Sequence, residues 1–312
     1  MQIKTVAIVG LGALGTLFGH HLSKHMDREA LRIIADRERI ERYHREGVYA
    51  NGELCDFHYV PPKEVSSPAD LVLVAVKSLQ LDEAIEAIRN QIGPDTLILS
   101  LLNGITSEEI IGKVYERDKV IDCVAQGMDA VKVGNRLTYK NMGKLCFGPA
   151  KGGFGPSSGG TIPDKVRRIA DFFGSVELPY EVDPNMKKRL WGKFMLNVGV
   201  NQTLALLGTT YGDIQRDGEK RDTMIAAMRE VIVLSQAVGV GLTEEDLAYW
   251  LKVLGTLDPG GKPSMRQDVE AGRLTEVELF SGAVIKIAGK YGIDTPVNRR
   301  LYEGIRGMEE GE

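Results

Sequence analysis

One glycine-spaced segment constrains this chain more than any other. Gly10-Leu11-Gly12-Ala13-Leu14-Gly15 follows a short apolar run, Thr5-Val6-Ala7-Ile8-Val9, and opens a helical pattern that continues to about Lys24. Each glycine answers a different backbone demand. Gly10 permits a tight turn, Gly12 lets the main chain approach a pyrophosphate, and Gly15 lets helix and strand pack closely. The helix start adds free N–H groups and the positive end of its dipole. Such a motif alone is weak, and a merely tight structural turn is the alternative. The strand before it, the helix after it and the further βα units behind it supply the context that dinucleotide binding requires.

Those further units are visible as β-like runs at 31–35, 71–76 and 96–102, separated by helical patterns such as 82–91 and 107–114. Strands apolar on both faces, alternating with helices, predict a parallel sheet covered on both sides. The pattern then changes. Ala130–Val133 and Arg136–Tyr139 flank Gly134-Asn135 and predict a hairpin. A glycine-rich loop is expected over 151–160, and the last β-like run ends near Asp183-Pro184. Beyond it helical patterns cover 187–207, 218–238, 243–254 and two segments between 264 and 291. The expected architecture is an α/β Rossmann-type, doubly wound sheet domain over residues 1–183, followed by an all-α substrate and catalytic domain over 184–312.

Composition removes several function classes. A net charge of -4 gives no basic surface for nucleic acid. No apolar run reaches the ~18 residues of a membrane span. The N-terminus shows no signal-peptide pattern, and the cysteines (Cys55, Cys123, Cys146) lack metal-ligand spacing. A cytoplasmic protein with reduced thiols and no metal is expected.

Polar residues at strand ends and on one helix mark the candidate chemistry. Asp36 ends the second apolar run, where an acidic residue accepts from the adenine ribose and favours NAD. Arg37 and Arg39 follow, and either could hold the 2′-phosphate of NADP; a solvated charge run is the alternative. Lys77 and Asn103 stand just after two apolar strands, where open α/β sheets bind ligands; a solvent-facing lysine and an Asn-Gly turn are the alternatives. Within 187–201, Lys193, Asn197 and Asn201 recur every four residues among Trp191, Phe194, Met195, Val198 and Val200. They share one face of a helix expected to be buried nearly all round, so something polar should face them. An exposed amphipathic face is the alternative. Ser264-Met-Arg-Gln267 and Thr275-Glu-Val-Glu278 both have capping-box form, with Gly272 as the intervening helix stop. Local pattern alone makes capping the favoured role of these Ser and Thr residues.

Taken together, the GLGALG loop, Val-Lys-Ser at Lys77, Leu-Asn-Gly at Asn103, Trp-x-Lys-x3-Asn-x3-Asn from Trp191, and the Ser264, Asp268, Thr275, Glu276 segment resemble the 2-dehydropantoate 2-reductase (ketopantoate reductase) family over essentially the whole chain. The resemblance implies NADPH-dependent reduction of ketopantoate to pantoate, in pantothenate and coenzyme A biosynthesis. It implies Lys193 and Glu276 as the catalytic residues, Lys193 as general acid and Glu276 orienting the lysine and substrate. It implies Asn103, Asn197, Asn201 and Ser264 as substrate contacts. Cofactor contacts are implied for Gly10, Leu11, Gly12, Ala13, Leu14, Gly15, Arg37, Lys77, Asn103 and Glu276. Asp36 departs from the family pattern, so NAD stays open beside NADP. A homodimer also stays open. The rival readings are a reductase of another small 2-oxo acid and a non-enzymatic NAD(P)-sensing regulator; Lys193 on an apolar helix argues against the second.

Overall fold

A computed structural model describes residues 2–150 and 160–311, so the expected glycine-rich loop at 151–160 lies, apart from Gly160, outside the described residues. The chain divides into two compact units, Met1–Met186 and Lys187–Glu312.

The first unit runs β1 (Val6–Val9), α1 (Ala13–Ser23), β2 (Leu31–Ile34), α2 (Arg37–Glu46), β3 (Tyr49–Ala50), β4 (Glu53–Leu54), β5 (His58–Val60), β6 (Leu71–Val74), α3 (Leu81–Ala87), β7 (Leu97–Ser100), α4 (Ser107–Tyr115), β8 (Val120–Gln126), β9 (Val131–Val133), β10 (Arg136–Thr138), β11 (Lys144–Gly148), α5 (Asp164–Ser175) and β12 (Tyr180–Val182). Among the described residues, eight strands form one sheet in the order β12-β11-β8-β7-β6-β1-β2-β5. All neighbours are parallel except β8 and β11. A smaller sheet, β4-β3-β10-β9, includes the expected hairpin, in which Val133 pairs with Arg136 across Gly134 and Asn135.

The neighbouring strands β1 and β6 are apolar on both sides, so both faces of the sheet there must be covered. Val6 and Ile8 of β1, with Leu71 and Leu73 of β6, join one core with Leu17, Phe18 and Leu22 of α1 and Phe173 of α5. The alternate residues Ala7, Val9, Val72 and Val74 join a second core with Ala84 and Ile85 of α3 and Ile111 of α4. A fully buried aliphatic chain contributes about 1.5–3 kcal/mol, so a polar residue on either face of these strands would oppose the fold. The chain leaves β1 for β2 on one side and returns to β6 on the other. That reversal opens a crevice at the carboxyl ends of β1 and β6.

The second unit holds α6 (Met186–Leu207), which begins in the first unit's last residue, then α7 (Tyr211–Gln215), α8 (Glu219–Ala237), α9 (Glu244–Leu254), α10 (Ser264–Glu270), α11 (Ser281–Tyr291) and α12 (Pro296–Glu310). Two glycines let neighbours reach the α6 backbone. A Cβ on Gly192 would lie 2.3 Å from Trp250 Nε1, and one on Gly199 would lie 2.5 Å from Met228 Cγ. Further along, buried Gln202 accepts from the Ser281 amide at 3.1 Å, the Ser281 hydroxyl donates to Asn298 at 2.8 Å, and Asn298 Nδ2 donates to Glu230 at 2.7 Å. This polar line ties α6 to α11, α12 and α8, and its satisfied groups fix the helix rotation. Among the described residues no helix is long and apolar enough to cross a membrane.

Candidate active site

The first unit gathers the predicted dinucleotide residues at one edge of its sheet. Gly10 holds φ +92°, and a Cβ there would lie 2.6 Å from Val76 Cγ1. A Cβ on Gly15 would lie 1.8 Å from the Gly10 carbonyl oxygen. Both glycines are required by the fold itself. Gly12 is different: its Cβ would meet only the Ala75 carbonyl, at 3.6 Å, which is ordinary contact. The protein leaves room for a side chain at Gly12 and does not place one. No side chain caps α1, and its first turn carries no acidic residue. The loop therefore presents an open, electropositive helix start beside an unfilled strip of backbone, which fits a phosphate-bearing dinucleotide.

Asp36 and Arg37 follow β2. Asp36 is the N-cap of α2, accepting from the Arg39 amide at 2.8 Å, with its other oxygen 3.4 Å from Arg39 Nε. The carboxylate and Arg39 are thus engaged with each other, and Arg37 stands exposed at the first helical position. Lys77, exposed, follows β6, and Asn103, half-buried, follows β7. The loops carrying Leu11 to Leu14, Arg37, Lys77 and Asn103 leave the carboxyl ends of four adjacent parallel strands.

Sequence reasoning missed one residue at this edge. Lys132 of β9 donates through Nζ to the Leu11 carbonyl, which also accepts from Thr16 Oγ1 at 3.3 Å. Burial, with Arg42 adding to it, lowers the Lys132 ammonium to about 8. The only sequence signal is a lysine between two valines. Val131 and Val133 turn outward, 40% and 76% exposed, and the lysine turns in.

In the second unit Lys193, Asn197 and Asn201 lie along α6. Lys193 is half-buried, and the amides are 9% and 8% exposed. An exposed amphipathic face does not describe this helix, which buries Trp191, Phe194, Met195, Val198 and Val200 around the polar line. Such burial requires polar groups opposite these side chains.

The two capping boxes are not formed. Pro263, not Ser264, caps α10, because its carbonyl already accepts the first helical bond, from the Gln267 amide at 3.2 Å. The Gln267 side chain turns to the Lys262 carbonyl, and Ser264 is left exposed as the first residue of the helix. Gly272 does end α10, at φ +63°, with the Arg273 amide closing on the Asp268 carbonyl at 2.9 Å. At the second box the Thr275 amide takes Glu309 at 2.7 Å, and Glu278 bonds the Tyr302 hydroxyl at 2.5 Å. Half-buried Glu276 precedes only a short 3-10 turn, Val277–Leu279, and α11 starts at Ser281.

Two other polar clusters lie in the first unit. Cys55 Sγ is 3.6 Å from His20 Nδ1, and His20 Nε2 is 3.2 Å from Glu53, a nucleophile–base–acid spacing. Burial pushes the Cys55 thiol up to about 11 and lowers His20, so the sulfur stays an unreactive thiol. Glu108 of α4 is raised to about 7, mainly by burial, with the charge of Asp122 adding and the Ser107 hydroxyl opposing. Among the described residues no group of three or more His, Cys, Asp or Glu could hold a metal ion.

Comparison with known proteins settles the family. A model described as Ketopantoate reductase PanE/ApbA matches residues 6–152, and one described as Ketopantoate reductase PanE/ApbA C terminal matches residues 185–309. The chain belongs to the ketopantoate reductase family. It is therefore an oxidoreductase-family chain, and the family resemblance read from its motifs holds across both units. It is 27% identical over 308 residues to a 2-dehydropantoate 2-reductase of Streptococcus pyogenes serotype M6, covering 97% of each chain. It shares its fold with a PanE/ApbA family ketopantoate reductase from Ralstonia eutropha JMP134, at TM-score 0.80, 24% identity and coverage of 98% and 99%. It shares it also with D-mandelate dehydrogenase in a ternary structure with NADH and anilino(oxo)acetate, at TM-score 0.85, 22% identity and the same coverage.

Proposed function

We propose that this ketopantoate reductase family chain reduces 2-dehydropantoate to pantoate with NADPH, serving pantothenate and coenzyme A synthesis. The observation that carries the reading is the polar line of half-buried Lys193 and buried Asn197 and Asn201 on an otherwise apolar helix, in a chain matched along both units by the family models. NADPH, when bound, supplies the hydride. The glycine loop, Lys77 and Asn103 hold the dinucleotide, with Arg37 on the 2′-phosphate. The capping of α2 by Asp36 supports this choice, since a carboxylate engaged by Arg39 repels that phosphate less than a bare one.

Negative charge grows on the ketone oxygen as hydride reaches the carbon. The Lys193 ammonium stabilises that charge and transfers its proton to the oxygen, then regains one from water. Asn103 helps hold the reacting oxygen, while Asn197 and Asn201 meet the substrate hydroxyl. Ser264 binds the carboxylate, and Glu276 orients the lysine.

The test is oxidation of NADPH and of NADH with 2-dehydropantoate and a panel of other 2-oxo acids, in wild type and Arg37→Ala. The reading expects 2-dehydropantoate to give the highest kcat/KM, NADPH to be preferred, and Arg37→Ala to weaken NADPH alone. A higher kcat/KM for another 2-oxo acid, such as an aryl one, would replace the substrate. Equal use of NADH by the wild type would replace the cofactor.

A further inference from the structure

Lys132 reaches the glycine loop from outside the sheet that carries it. It lies on β9, opposite Leu137 of β10, a residue only 1% exposed. Its ammonium is spent on a main-chain oxygen, that of Leu11. The Leu11 carbonyl and the Gly12 N–H belong to one planar trans amide, so they point in opposite directions. With Lys132 and Thr16 both donating to the oxygen, the Gly12 N–H is turned away from them. Gly12 is also the residue beside which the protein leaves a strip of backbone uncovered. A cation on the carbonyl end polarises the amide and strengthens its N–H as a donor.

We propose that Lys132 is a positioning residue for the dinucleotide: it orients and polarises the Leu11–Gly12 amide so that the Gly12 N–H meets a phosphate oxygen of the cofactor. The inference rests on the dinucleotide reading of the loop. It also explains why a partly buried cation is kept on a strand whose valines face solvent, the reverse of what burial alone favours. The ionisable groups acting on the ammonium are Arg42 of α2, which disfavours its charge, and Cys55, which would favour it only as a thiolate and stays a neutral thiol over the pH range of the test.

The charge dependence gives the test a direction. Lys132 orients the amide as a cation, and burial places its titration at about 8. Anion binding favours the protonated form, so dinucleotide affinity is full below that value and falls as pH rises through it. Binding of NADPH and of NADH is titrated by cofactor fluorescence from about pH 7 to about pH 9.5, for wild type, Lys132→Met and Lys132→Arg, with a thermal melt of each. Wild type should bind and weaken on the alkaline side. Lys132→Met should bind about tenfold more weakly at neutral pH, the scale of one charge-assisted contact, and show no alkaline fall. Lys132→Arg should bind nearly as wild type and also lose the alkaline fall, since a guanidinium keeps its charge. If Lys132→Met fails to fold, the Lys132→Arg profile decides. Undiminished binding by Lys132→Met, a flat wild-type profile, or a Lys132→Arg profile that tracks wild type would each overturn the inference and leave the dinucleotide reading standing. Failure of wild type to bind either dinucleotide would overturn both.

Discussion

Gly12 and Gly15 look alike in the sequence and answer to different masters in the structure. A methyl group at Gly15 would sit 1.8 Å from the Gly10 carbonyl, so the loop or the helix would have to move. A methyl at Gly12 would make an ordinary contact at 3.6 Å and nothing closer. Gly15→Ala should therefore lower stability by about 1–3 kcal/mol, the usual scale of overpacking. Gly12→Ala should melt with wild type and lose dinucleotide affinity by at least about tenfold, since the added methyl fills the phosphate approach. Thermal melts beside cofactor titrations separate the two; matching losses of stability would show that Gly12 too belongs to the fold. Ser264 carries a similar distinction. Because Pro263 caps α10, Ser264→Ala should change stability by less than about 0.5 kcal/mol, far below the loss of a true N-cap. It should raise KM for 2-dehydropantoate more than it lowers kcat, as expected for a contact made in both ground and transition states. A collapse of kcat at constant KM would contradict that role.

At the scale of elements, legibility follows burial on both sides. β1 and β6 are buried and apolar at every position, and β2 and β7 are buried at every position with one polar residue each, Arg32 and Ser100, so all four are visible in the sequence. α2 is not, because only Tyr43 of its ten residues is buried and the remainder reads as a charge run. α12 keeps only Asn298, Leu301 and Ile305 buried, and its start is held by Glu230 of α8, which accepts from the Val297 and Asn298 amides at 2.7 and 2.9 Å. A cap supplied from another helix leaves no local signature. The same reason undid the second capping box, whose Thr275 amide is taken by Glu309 of α12. In β9 local pattern misleads outright, since the lysine faces in. α4 offers a test of a buried group. Glu108 titrates near 7 in the folded chain, above its ordinary value, so the folded state holds its proton more tightly. Its contribution to stability is present at pH below the ordinary carboxyl range and is lost as pH rises to about 7. Melting temperature should fall over that window in wild type and fall less in Glu108→Gln. Parallel curves for the two proteins would contradict this.

For the whole molecule, the proposed chemistry divides between two units that could be read separately. The first supplies the glycine edge, legible because its spacing and its strand–loop–helix setting are local. The second supplies Lys193, legible because a four-residue polar recurrence stands out on a helix that buries Phe194, Met195 and Val198. Lys132 joins the account only through the tertiary structure. The central claim is that Lys193 protonates the ketone oxygen, and one measurement tests it most directly: turnover of 2-dehydropantoate by folded Lys193→Ala at saturating NADPH. General acid catalysis contributes about 10²–10⁴-fold, and the account predicts a loss on that scale with NADPH binding and melting temperature retained. A folded variant keeping more than about a tenth of wild-type turnover would contradict it and move the search for the proton donor to Glu276.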